Sequence, residues 1–203
     1  AATGITLPSD VGWVEFERDG VRTEEAFINV AGFGANGEVV RAANSMDKKW
    51  GGRLTFLRAS LQTTLNYRPP EVQLKWSGPE GKGDFEGEIM SCFVANGAFC
   101  GGGMNVGKGG TMQDGLFDLT QLPPSSAGTQ LLQARRLYDG SLKRWPGARR
   151  LQVDRLEAIP LTHEPVFIDL DGELSGQLPA TFRVIRRGLH IRGAWLISPL
   201  LDD

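Results

Sequence analysis

The stretch AFINVAGFGANGEVVRAAN, residues 26–44, decides the fold. Gly32, Gly34 and Gly37 match G-x-G-x-x-G after a strand-like run and before VVRAAN, which is the local context of a dinucleotide-binding βαβ unit. That reading demands a second parallel strand and an acidic residue about 20 positions further on for a ribose hydroxyl. The chain has LTFLRASL there, inside a helical pattern. The glycines are better read as a tight passage from strand to helix, where backbones approach closely.

Around this stretch the patterns are mostly those of strands. Residues 11–18 (VGWVEFER) alternate, Asp19-Gly20 is a hairpin turn signal, and a second strand starts near Glu25. Residues 48–66 switch to helical spacing, with Trp50, Leu54, Leu57, Leu61 and Leu65 on one stripe, stopped by Pro69-Pro70. EVQLKWS alternates again, and EIMSCFVANGAF reads as a more deeply buried strand. A helical stretch near 128–144 ends at Trp145-Pro146-Gly147, followed by strand-like segments at 151–160, 165–174 and 181–197. With no βαβ rhythm, the expected fold is α+β and mostly β: one domain over residues 1–203, an antiparallel β-sandwich with two helical inserts.

Composition limits the function classes. The 203 residues carry a formal net charge of −2, so nothing in the total points to nucleic acid. Cys92 and Cys100 form neither a zinc pattern nor a disulfide framework, and reduced thiols in a cytoplasmic setting are the default. No apolar run approaches the roughly 18 residues of a membrane span.

A second glycine-rich stretch, CGGGMNVGKGGTMQDGLFDL (100–119), imitates a phosphate loop through Gly102, Gly107 and Lys108. Gly109 stands where a magnesium-binding Ser or Thr is required, and strand-like residues follow where a helix should open. A glycine-shaped turn between strands explains it better. The carboxylates remain. Asp114 and Asp118 flank Gly115, and FIDLDGEL carries Asp169, Asp171 and Glu173 at strand spacing, so that these three can share one face while Ile168 and Leu170 point inward. A solvated strand end with an Asp-Gly turn accounts for the pattern; so does a magnesium or general-base site, since hard oxygen ligands suit magnesium and a carboxylate can take a proton from a hydroxyl.

Taken in order, AFINVAGFGANGEVVRAAN, LTFLRASLQTTLNYRPPEVQL, FVANGAFCGGGMNVGKGGTMQDGLFDL and VFIDLDGEL resemble the C-terminal domain of the diacylglycerol kinase catalytic-domain family, which includes bacterial soluble lipid kinases and has sphingosine and ceramide kinases as relatives. The resemblance runs from about Asp10 to Ile191, and its most diagnostic parts are Asn96-Gly97, Gly101-Gly102-Gly103-Met104, Asp114-Gly115-Leu116 and Asp171-Gly172-Glu173. It implies a two-domain, ATP- and Mg2+-dependent kinase of diacylglycerol or a similar lipid alcohol. The N-terminal nucleotide domain, with its GGDGT signature, is expected to be absent from this chain, which looks like the second half alone and should not turn over by itself. By the same resemblance Asp114, with Leu116 and Thr111 as neighbouring ligands, falls on the family's structural magnesium site. Asp171 and Glu173 fall on its catalytic acid pair, Glu173 as proton acceptor. ATP would be held mainly by the missing domain. Where family members carry an Ala-Pro-containing segment, this chain has Gly107-Lys108-Gly109-Gly110, whose lysine is a candidate phosphate or headgroup contact. Asp169 has no family role and reads as surface charge or second shell.

Two rival readings are a non-catalytic lipid- or ligand-binding sandwich and an NAD-kinase-like nucleotide kinase domain. Peripheral membrane contact through Lys48, Lys49, Arg53 and Arg58 beside the helical stripe is weighed against simple packing of that stripe on the sheet. A homodimer is compatible with the sequence and not required by it. His163 and His190 read as structural.

Overall fold

A computed structural model of the chain describes residues 5–46, 59, 62–63, 66–107 and 111–193. The helical stripe expected over 48–66, with its four basic residues, lies largely outside them; residues 59, 62, 63 and 66 are helical.

Asp19 and Gly20 both take positive φ, 53° and 76°, and close β1 (Ile5–Arg18) onto β2 (Val21–Phe27) with Arg18 opposite Val21. A two-residue loop with both φ values positive matches the right-handed twist of the flanking strands. The chain then enters β3 (Val30–Gly34), α1 (Ala35–Ser45), β4 (Glu71–Gly78), β5 (Gly81–Glu88) and β6 (Ser91–Ala95). A short hairpin, β7 (Phe99–Cys100) and β8 (Met104–Asn105), precedes β9 (Phe117–Leu122). α2 (Ala127–Ala134) and the 3-10 turns Arg135–Leu137 and Leu142–Arg144 lead to β10 (Arg149–Val153), β11 (Arg155–Pro160), β12 (Phe167–Leu170) and β13 (Glu173–Gly193).

All of the strand pairs are antiparallel among the described residues, in the order β10-β9-β6-β3-β12-β13-β11-β4-β5, with β1 joined to β13 and β2 to β1. The 21-residue β13 pairs with β12 and then β11, while β1 pairs with it through two register shifts. Such shifts bend strands and increase twist. The sheet curls far enough for its ends to approach: a Cβ on Gly78 of β4 would lie 2.3 Å from the Gln152 carbonyl oxygen of β10.

Inside the curl lies one apolar core drawn from both halves of the sheet, including Val14, Phe27, Phe33, Leu74, Phe117, Leu119, Leu156, Ile168 and Phe182. Phe33 of β3 stacks on Phe182 of β13 at 6.1 Å, and Phe27 stacks on Phe117 at 5.5 Å. This is the two-faced, sandwich-like arrangement that the alternating strands require. A second cluster covers the outer face of β3, β6 and β9, where Val30, Met90, Phe93, Ala95 and Leu122 meet Leu137, Leu142 and Trp145. β3, β6 and β9 are therefore buried on both faces; β6 reads as a continuous apolar run after Ser91, whereas β9 places Asp118, Thr120 and Gln121 among its buried positions.

Two expected strands divide. Segment 151–160 breaks at Asp154, whose N–H donates to the Ser77 carbonyl at 2.9 Å as the chain crosses from β10 to β11. Segment 165–174 breaks at Asp171-Gly172, which is the β12–β13 turn.

The 32–37 glycines do what close approach predicts. β3 has antiparallel neighbours on both sides, β6 and β12, so no parallel βαβ unit exists there. Gly34, at φ 88°, caps α1, and the Ala35 N–H donates to the Met90 carbonyl at 2.8 Å. A Cβ on Gly37 would stand 2.2 Å from the Phe167 carbonyl oxygen. Gly37→Ala is expected to push α1 off β12 and destabilise the domain by about 1–3 kcal/mol, read as a lower urea midpoint.

Candidate functional site

Asp171 is the residue around which one end of the sheet is assembled. It sits at φ 52° in the two-residue turn after Leu170, with Gly172 at 89°. Its Oδ1 accepts from the Asn29 and Val30 N–H groups at 2.9 Å each, and its Oδ2 from the Ile28 N–H at 2.7 Å. The turn is thus pinned to the corner between β2 and β3, and the Asp171 N–H returns a bond to the Val30 carbonyl at 2.9 Å. Asn29 extends the corner to the loop after β6. Its carbonyl accepts from Asn96 and Gly97 at 2.9 and 2.8 Å, and its side-chain amide donates to the Phe99 carbonyl at 3.0 Å. A Cβ on Gly97 would lie 2.2 Å from the Asn29 Oδ1, so a side chain there would displace the Asn29 amide that holds the Phe99 carbonyl.

Glu173 opens β13 opposite Leu170 and is exposed, and among the described residues its carboxylate has no hydrogen bond or ion pair. Asp169, Asp171 and Glu173 accordingly do not line one face of one strand: the turn separates them. Asp169 is not surface charge either. Its Oδ2 is sealed from solvent without a hydrogen-bond partner, 2.8 Å from where a Cβ on Gly32 would be. Burial raises its pKa to about 7, the neighbouring Asp171 adds to the shift, and the N–H groups of Asp169 and Gly172 oppose it.

A carboxyl that prefers its neutral form when folded stabilises the fold at low pH. That contribution is complete below the ordinary value of 3.8 and is lost as pH rises to about 7, because over this range the folded chain keeps a proton that the unfolded chain releases. Asp169→Asn is expected to leave Tm little changed near pH 3, to raise it near pH 5 and to raise it further near pH 8, relative to the parent chain, in thermal melts at the three values.

Asp114 lies in the loop before β9. Its Oδ1 accepts from the Leu116 N–H at 3.0 Å, and its pKa is raised by burial, opposed by that bond, with Asp118 and Asp10 adding to the rise. Asp114 is the exposed one of these three acids, and an exposed carboxylate is the kind of oxygen a hard cation takes. The Asp114 carboxylate, engaged by the Leu116 N–H on one oxygen, has acceptor capacity to spare for it. The Thr111 carbonyl is already taken by the Gln113 and Asp114 N–H groups at 2.6 and 3.3 Å, which leaves its exposed hydroxyl. Among the described residues no three His, Cys, Asp or Glu side chains come together as a metal cage. Lys108 lies outside the described residues.

Two residues with no role assigned from sequence join these loops. Asp10 is 1% exposed; its Oδ2 accepts from the Gly115 N–H and its Oδ1 from the Arg187 N–H, both at 2.7 Å. Its own N–H donates to the Met112 carbonyl at 2.6 Å. The Asn96 side-chain amide then bonds the Asp10 and Ile28 carbonyls, at 2.9 and 2.6 Å. The Asp114 loop and the Asp171 corner are thereby connected through Asp10, Asn96 and Ile28. Asn96-Gly97 was visible as a motif, but Asp10 had no local signal.

The remaining candidates are structural. Gly101, Gly102 and Gly103, all at positive φ, make the β7–β8 turn, and among the described residues no helix opens between that turn and β9, so the phosphate-loop reading gains no support there. The Cys92 and Cys100 thiols are free, and burial raises both pKa values, that of Cys100 to about 12, so neither is a reactive thiolate. Among the described residues no helix is long and apolar enough to cross a membrane.

Comparison with known proteins agrees with the fold. A diacylglycerol kinase of Bacillus subtilis is 27% identical over 206 residues, covering 98% of this chain and 61% of its own length. A probable lipid kinase, YegS-like, of Alcanivorax borkumensis is 28% identical over 168 residues, covering 81% of this chain and 54% of its own. The chain therefore spans between half and two thirds of these curated relatives. The crystal structure of a putative diacylglycerol kinase from Bacillus anthracis shares the fold, with a TM-score of 0.63 at 21% identity over 92% of this chain and 56% of that one. The family model described as the YegS C-terminal NAD kinase beta sandwich-like domain matches residues 29–192, and the chain belongs to that family.

Proposed function

We propose that this chain is the lipid- and metal-site domain of an ATP- and magnesium-dependent lipid kinase that phosphorylates the hydroxyl of diacylglycerol or a similar lipid alcohol. The observation that carries the reading is the pairing at the β12–β13 turn: a carboxylate locked by three backbone N–H groups, with an exposed and unengaged carboxylate two residues on. An ionised carboxylate offers about four lone-pair sites, and Asp171 has committed three to the protein. Glu173 has its capacity to spare.

The roles follow. Glu173 accepts the proton of the lipid hydroxyl as the oxygen attacks the γ-phosphorus of ATP and the bond from that phosphorus to the β–γ bridging oxygen breaks, releasing ADP; Asp171 holds the turn that aims Glu173. Asp114 and Leu116, with the Thr111 hydroxyl, would hold magnesium, whose positive charge offsets the crowd of Asp10, Asp114 and Asp118. Phosphoryl transfer depends mainly on positioning and charge neutralisation, so residues beyond this chain would hold the nucleotide. The names of the relatives supply the substrate class.

The test is phosphate transfer from labelled ATP by the complete protein to a panel of lipid alcohols, with NAD as a control acceptor. Product with one or more lipids is expected. Lipid binding without product would leave a binding module, and product with NAD alone would make it a nucleotide kinase.

A further inference from the structure

α2 is seated unusually for a helix that only packs. Its buried residue is Gln130, whose amide donates to the Ser125 carbonyl at 2.9 Å, while Leu131 and Leu132 are each 65% exposed. The helical backbone runs on through Arg135–Leu137 to Tyr138, which is 56% exposed, and Leu137 turns inward beside Leu142 and Trp145. Residues three, four and seven apart share a helix face, so Leu131, Arg135 and Tyr138 form one outward stripe with Leu132 and Arg136 alongside. Lys143 and Arg144 are exposed just beyond. Asp139 is the single acid between residues 127 and 147, in a chain whose net charge is −2. Its pKa is lowered chiefly by bonds from Ser141, with Arg135 and Arg136 contributing.

We propose that this face docks on an anionic lipid bilayer. Leu131, Leu132 and Tyr138 enter the acyl boundary, and Arg135, Arg136, Lys143 and Arg144 meet the phosphates. Apolar side chains flanked by bases are the pattern that such a surface binds. A second copy of the chain on the same face would set these bases against their own kind, and a nucleic acid offers nothing to aliphatic leucines. Choosing a bilayer rests on the lipid-kinase reading above. The position suits it: Leu137, Leu142 and Trp145 pack on the same outer face of the sheet as Cys100 and Met104 of the β7–β8 hairpin. The Phe99 carbonyl of that hairpin is held by Asn29, beside Asp171.

The test is co-sedimentation of the 203-residue chain with vesicles of phosphatidylcholine alone, and of equal parts phosphatidylcholine and phosphatidylglycerol. Binding to the mixed vesicles is expected, about tenfold or more above the neutral ones and weakened by salt. Leu131→Glu with Leu132→Glu should lower it by about tenfold or more with an unchanged circular dichroism spectrum, and Arg135→Glu with Arg136→Glu should lower it on mixed vesicles only. Three results would each overturn the proposal: no vesicle binding, full binding by the leucine pair, or self-association of the parent chain abolished by that pair. The readout involves no turnover, so a failed kinase assay leaves docking standing, and failed docking leaves the kinase assay untouched.

Discussion

Glu173→Gln in the complete enzyme is expected to lower kcat by about 10²–10⁴-fold, the usual contribution of a general base, with KM and Tm close to those of the parent. Gln keeps the shape of Glu, and among the described residues the exposed Glu173 carboxylate makes no hydrogen bond or ion pair. Asp171→Asn should behave differently. An amide cannot accept on both oxygens, so it turns an NH2 group toward at least one of the Ile28, Asn29 and Val30 N–H groups. That costs about 1–3 kcal/mol of stability, and turnover falls because the turn carrying Glu173 loosens. Kinetics and thermal melts of both variants therefore separate chemistry from architecture. If Glu173→Gln stays within about threefold of the parent rate, Glu173 is not the base.

What could be read from sequence was what local chemistry dictates. The Asp19-Gly20 hairpin, the alternation of EVQLKWS and the failure of both glycine motifs all follow from neighbours in the chain, and the fold has each of them. The Asp171-Gly172 turn was legible as well, because Asp-Gly between strands is a turn signal, but strand spacing across FIDLDGEL obscured it. The spacing allowed three carboxylates to share one face; the turn seals Asp169 Oδ2 from solvent, commits Asp171 to backbone and leaves Glu173 exposed. Asp10 could not have been found in this way. Its partners lie 105 and 177 residues away, and nothing around Ser9-Asp10 in an alternating strand announces a buried acceptor. For α2 the sequence reads only as helical, and the fold turns two of its leucines outward.

Asp10→Ala should damage the fold strongly, because the carboxylate it removes is buried. It would strip the acceptor from two N–H groups, those of Gly115 and Arg187, at about 1–3 kcal/mol each, against a typical total of about 5–15 kcal/mol. Asp10→Asn keeps one acceptor oxygen and turns an NH2 group toward the other N–H, so its loss should fall between those of the parent and Asp10→Ala. Urea denaturation measures the series. Arg187 adds to the expected loss: its φ of 52° is uncommon for a non-glycine residue, and the bond to Asp10 helps hold it there. The same change releases the Gly115 end of the Asp114 loop, so magnesium affinity should drop along with stability, and calorimetric titration of the folded variant well below its melting temperature would show it. A loss below about 1 kcal/mol for Asp10→Ala would mean that water replaces the carboxylate, and that the Asp114 loop and the Asp171 corner are held together by the Asn96 side chain without help from Asp10.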